Sequence, residues 1–125
     1  MLIDDVSSMR RFIKSILERT FPDCFVDEAN DGISAREKME MVRYDLVLCD
    51  WGIPGLSGED LLLWVRKQPH LQDIPFIMVT GFRDKEHVVR AKELGVSDYI
   101  VKPIAMDVLI QKIKEVNHNF KERSS

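Results

Sequence analysis

The sequence predicts an α/β fold: a doubly wound, three-layer sandwich in which five parallel strands carry helices on both faces. Three observations lead there. Apolar runs of strand length alternate five times with stretches of helical period. The two most apolar runs, FIMVT at 76–80 and DLVLC at 45–49, are continuous rather than alternating, as strands buried on both faces are. Parallel neighbours need long right-handed crossovers, and the intervening helical stretches can supply them.

The elements follow in order. Met1-Leu2-Ile3 is a short apolar opening that ends at Asp4-Asp5. Only three residues precede Asp4, so either the first strand is abbreviated or residues upstream of it are missing from this sequence. Ser7 or Ser8 can cap a first helix whose apolar positions Met9, Phe12, Ile13, Ile16 and Leu17 share one face. Phe21-Pro22-Asp23 stops it, and Cys24 to Glu28 reads as the second strand. Asn30-Asp31-Gly32 leads into a second helix near Ile33 to Val42. Asp45 to Cys49 is the third strand, followed by a Gly/Pro loop from Asp50 to Ser57. A third helix begins near Gly58, with Leu61, Leu62 and Val65 inward.

Ile74-Pro75 introduces the fourth strand, Phe76 to Thr80. Asp84 can cap the fourth helix, with Val88, Val89 and Leu94 inward and Gly95 as its stop. Tyr99-Ile100-Val101 is the fifth strand, closed by Lys102-Pro103. The last helix carries Val108, Leu109, Ile110, Ile113 and Val116. The whole of 1–119 reads as one domain, with 120–125 as a polar tail.

Composition narrows the function classes. At 125 residues, 45% hydrophobic and 31% charged, the chain suits a single soluble domain. A net charge of -3 provides no basic field for nucleic acid. No run approaches the roughly 18 apolar residues of a membrane span, and no leader-like segment opens the chain, so the cytoplasm is the expected location. Cys24 and Cys49 have no metal-type spacing and read as free thiols. They are expected near opposite ends of the sheet, too far apart for a disulfide. His70, His87 and His118 are scattered and read as surface or boundary residues.

In such a sheet, ligands bind beyond the carboxyl ends of the strands. The first strand delivers Asp4 and Asp5 there, the third Asp50, the fourth Thr80 and the fifth Lys102. Three neighbouring acids repel one another unless a cation joins them. Mg²⁺ takes oxygen ligands and keeps several waters, so it suits this set. Asp50, at mid-edge, could attack phosphorus and form an aspartyl phosphate. Lys102 and Mg²⁺ would neutralise the phosphoryl oxygens, and Thr80 would donate a hydroxyl.

These residues, with SSMRR at 7–11, EANDG at 28–32, DWGIPGLSGEDLL from Asp50, IPFIMVTG ending at Gly81 and DYIVKP at 98–103, resemble the response-regulator receiver domains. The likeness covers nearly the whole chain, and SSMRR and Asp50-Trp51 tilt it toward the chemotaxis type. It implies the flavodoxin-like strand order 2-1-3-4-5. It implies a phosphorylation-activated switch of a two-component system, in which a sensor histidine kinase donates a phosphoryl group to Asp50. Asp5, Asp50 and the Gly52 backbone carbonyl would hold Mg²⁺, with Asp4 acting through water. Thr80 and Lys102 would bind the phosphoryl group, and Tyr99 would be the rotameric switch. The Lys102-Pro103 bond would be cis. A downstream protein would read the surface of helix 4, strand 5 and helix 5.

Such a domain acts as a monomeric signalling module and catalyses only its own phosphorylation and dephosphorylation, which sets it apart from a conventional enzyme. The alternatives are a receiver module of a larger regulator or hybrid kinase, and a non-phosphorylated pseudo-receiver. The sequence departs from the family in three places: the start before Asp4 is short, Gly52 lacks a side chain, and Phe82 is bulky and apolar where polar residues are frequent. Phe82 is therefore expected to screen the phosphorylated site from water. A haloacid-dehalogenase-type phosphatase would want a second acid two residues after the nucleophile, where Gly52 stands. A flavodoxin-like nucleotide binder would want a phosphate-cradling glycine loop after the first strand, and neither GxGxxG nor GxxxxGK[ST] is present.

Overall fold

The computed structural model describes residues 1–117, so His118 and the polar tail at 120–125 lie outside the described residues. Five strands and five helices alternate without exception: β1 (Leu2–Ile3), α1 (Ser7–Thr20), β2 (Glu28–Ala29), α2 (Gly32–Met41), β3 (Val47–Cys49), α3 (Gly58–Lys67), β4 (Phe76–Thr80), α4 (Lys85–Glu93), β5 (Asp98–Val101) and α5 (Met106–Val116). The sheet is parallel throughout, in the order β2-β1-β3-β4-β5.

Strand residues alternate between two separately packed layers, because successive side chains point to opposite faces. Ile3, Val47, Cys49, Phe76 and Met78 pack under α2, α3 and α4 with Met39, Leu62, Val65 and Ala91. Leu2, Leu48, Ile77, Val79 and Ile100 pack under α1 and α5 with Ile13, Ile16, Leu109 and Ile113. Both faces of β3 and β4 are thus buried, which is why those strands read as unbroken apolar runs.

Local chemistry sets the helix starts. Asp31, Ser57 and Asp84 cap α2, α3 and α4 by accepting the amides of Ser34, Asp60 and His87. Gly95 ends α4 at φ 89°, in the left-handed region that favours glycine. The Lys102-Pro103 bond is cis. Cys24 and Cys49 are free thiols.

Several boundaries differ from the sequence reading. The first helix is not capped by a serine: Val6 is its N-cap, and Val6 N–H is held at 2.9 Å by the Asp4 carboxylate. The second strand is only Glu28–Ala29, because β1 offers just Leu2 and Ile3 as pairing partners. Val89 was expected to face inward and is exposed instead; Phe12 and Val108, apolar positions of their helices, are exposed as well, at the margins of their apolar stripes. In α4 only Ala91 is buried, so that helix rests on the sheet through a narrow contact.

Candidate functional site

Register places the strand tips side by side. Ile3 pairs with Cys49 and Cys49 with Met78, while Thr80 pairs with Val101. The next residues along β1, β3 and β5 are Asp4, Asp50 and Lys102. Backbone bonds continue the ladder into the site: Asp50 N–H donates to Ile3 O at 2.9 Å, and Lys102 N–H donates to Thr80 O at 2.9 Å.

The side chains converge as the topology demands. Carboxylate oxygens of Asp4, Asp5 and Asp50 all lie within 4.8 Å of one another. Lys102 Nζ reaches into this group, 2.7 Å from Asp4 Oδ2 and 3.0 Å from Asp50 Oδ2. Burial alone would lower the Lys102 pKa, but the hydrogen bonds and charges of Asp4 and Asp50 outweigh it and the net direction is upward. The lysine is therefore held as an ammonium. Asp4 is 2% exposed; besides Lys102 its carboxylate has Val6 N–H. The carbonyl of Asp4 accepts from Arg10 at 2.6 Å, and Arg10 also meets Glu28 at 3.3 Å, so α1 and the start of β2 brace the acidic corner. The direct Asp4–Lys102 bond was not part of the sequence reading, which assigned Asp4 to a water-mediated role.

All three acids are hard oxygen donors, and among the described residues no cysteine or histidine joins them, a donor set that fits Mg²⁺ rather than a soft transition metal. The Gly52 N–H lies 3.5 Å from Asp50 Oδ1, and a Cβ at Gly52 would meet nothing within 4 Å, so the site is open on that side. Just below Asp50 sits the buried thiol of Cys49, which donates to Asp50 O at 3.1 Å. Burial, reinforced by Asp50 and Asp4, raises its pKa and keeps it neutral.

The other two site residues, Thr80 and Tyr99, both bond Phe82. Thr80 is 1% exposed, and its Oγ1 accepts from Phe82 N–H at 3.4 Å. Tyr99 places its hydroxyl at the rim, donating to Phe82 O at 2.6 Å. Burial, with Asp84 and Asp50 adding to it, pushes the Tyr99 phenol up to about 12. Sequence reading missed the company Phe82 keeps. Its ring stacks on His87 with centroids 4.1 Å apart, and His87 stands edge-on to Trp51 at 4.6 Å.

Residues 1–114 match the response regulator receiver domain family. The chain belongs to that family. This receiver domain is 36% identical over 116 residues to the chemotaxis protein CheY of Pseudomonas aeruginosa, with 93% of each chain covered. It is 34% identical to chemotaxis protein CheY-3 of Vibrio cholerae, over 93% of this chain and 88% of the relative. Among solved structures, it matches the signal receiver domain of a histidine kinase from Syntrophus aciditrophicus with a TM-score of 0.85 and 31% identity, over 99% of this chain and 93% of that one. It matches the response regulator CheY4 of Vibrio cholerae with a TM-score of 0.85 and 26% identity, over 93% and 95% of the two chains. The receiver domain is thus CheY-like in sequence and fold. Among its described residues, no helix is long and apolar enough to cross a membrane.

Proposed function

We propose that this receiver domain is a phosphorylation-activated switch of the chemotaxis type, with Asp50 as the phosphoacceptor. The observation that carries the reading is the single constellation of Asp4, Asp5, Asp50 and Lys102 at the carboxyl edge of the sheet. Asp5 and Asp50, with the Gly52 carbonyl, would hold Mg²⁺, and Asp4 would assist. The ion supplies charge neutralisation for the phosphoryl oxygens.

A carboxylate oxygen of Asp50 attacks the phosphorus of a phosphohistidine on a sensor kinase. A P–O bond forms as the P–N bond breaks; the imidazole nitrogen keeps the electron pair and takes a proton from solvent. Lys102 exchanges its bond to Asp50 for one to a phosphoryl oxygen, and Thr80 donates to another. Thr80 then leaves Phe82 N–H, and Tyr99 moves inward after it. Hydrolysis reverses the state: water attacks phosphorus, the P–O bond to Asp50 breaks, and inorganic phosphate leaves. The added charge of about -1.5 to -2 favours one of two conformers. A downstream protein reads the difference on the α4, β5 and α5 face. The domain acts as a monomer in the cytoplasm and turns over only its own phosphoryl group, so it is a signalling module and not a conventional enzyme.

Incubation with acetyl phosphate and Mg²⁺ should give a labile mass gain of one phosphoryl group that Asp50→Asn abolishes. No gain, or a gain that survives the substitution, overturns the assignment. The likeness to a histidine kinase's receiver favours a second reading, a module of a larger signalling protein. Swimming bias in cells lacking the protein separates the two: a change supports the chemotaxis role, and unaltered swimming supports the module.

A further inference from the structure

Phe82 is where three contacts meet. Its N–H donates to Thr80 Oγ1 at 3.4 Å, its carbonyl accepts from Tyr99 at 2.6 Å, and its ring lies on His87 with the planes only 6° apart. His87 is itself fixed from two further sides. Its Nδ1 lies 2.6 and 2.8 Å from the Asp84 carboxylate oxygens, and its ring meets Trp51 at 75°. Phe82 also stands edge-on to Trp51 at 6.3 Å. Trp51 directly follows Asp50, and Asp84 caps α4, so the three rings join the β3–α3 loop to the start of α4 beside the site.

We propose that His87 is a positioning residue for the switch. By stacking on Phe82 it holds that residue's backbone where its carbonyl takes the Tyr99 hydroxyl and its amide the Thr80 hydroxyl. The inference rests on the phosphorylation reading for its purpose, and it concerns the unphosphorylated protein. Both switch hydroxyls are bonded to one residue, so any movement of Phe82 that frees Thr80 disturbs Tyr99 as well. Polar residues at position 82 would leave this coupling to the backbone alone. Here a stacked ring adds to it, and an aromatic pair shifts a two-state ratio by roughly two- to tenfold.

The test uses the full, unphosphorylated chain labelled with 3-fluorotyrosine, with the Tyr99 fluorine resonance assigned by Tyr99→Phe. His87→Ala should displace or split that resonance. Phe82→Leu, which removes the stack from the other side, should do the same, so the outcome does not hang on the folding of one variant. His87→Phe keeps a ring but loses the Asp84 bond, and should reverse at least half of the displacement. If Tyr99 is unmoved in both His87→Ala and Phe82→Leu, or if His87→Phe behaves like His87→Ala, the proposal is wrong. Because no phosphoryl group is involved, the result is independent of whether Asp50 accepts one.

Discussion

Lys102 shows how a single residue offsets the charge of the acidic corner. Its ammonium is the only cationic partner of the Asp4 and Asp50 carboxylates among the described contacts, and all three side chains are largely withdrawn from solvent. Lys102→Met leaves three close carboxylates with no compensating charge. In metal-free buffer it should destabilise the fold by about 2 kcal/mol, and Mg²⁺ should recover much of that loss. Urea midpoints with and without Mg²⁺ measure both effects; an unchanged midpoint in metal-free buffer removes the structural role. The placement of Asp4, Asp5, Asp50, Thr80 and Lys102 was legible in the sequence because a parallel sheet brings every strand's carboxyl end to one edge. The state of Thr80 and Tyr99 was not. Their bonds to Phe82, and the stack of Phe82 on His87, depend on how two loops meet in space, and an isolated histidine in a sequence carries no sign of such a partner.

At the scale of elements, the start of α3 is pressed directly against the site. Gly58 N–H donates to Trp51 O at 2.8 Å, and a Cβ at Gly58 would fall 2.4 Å from Asp50 O and 2.8 Å from Trp51 Cα. Those neighbours are backbone and cannot rotate aside. Gly58→Ala should therefore destabilise by about 2 kcal/mol and slow the proposed phosphorylation of Asp50 by shifting its main chain. Thermal melts and the rate of mass gain report the two losses, and wild-type values for both would show that α3 has room to retreat. The same scale explains where sequence reading of the elements fell short. Cys24 to Asp27 have strand-like composition, but strand length is decided by the partner, and β1 pairs only through Leu2 and Ile3. Phe12, Val89 and Val108 follow the helical period, but the sheet covers only the middle of each apolar stripe.

For the whole molecule, acid stability has a named contributor away from the site. The Tyr44 hydroxyl bonds Asp27 and, helped by Lys38, holds the Asp27 carboxyl below its usual value. A depressed folded pKa contributes stability that is complete above the unfolded value, about 3.9, and is lost as pH falls through the folded one. Asp27→Asn should thus be less stable than wild type at pH 7, and the gap should close as pH drops below about 4. Urea midpoints across pH follow it; a gap that stays constant would exclude the linkage. Finally, the alternation of β3 and β4 side chains makes the sheet a septum between two interiors that share no side-chain filling. Val65 belongs to one and Ile113 to the other. Val65→Ala and Ile113→Val, at about 2 and about 1 kcal/mol, should sum in the double variant to within about 0.5 kcal/mol. Damage on one side is then compartmented, so the α1 and α5 half can drift in sequence while the half beneath α3 and α4 keeps its own packing intact.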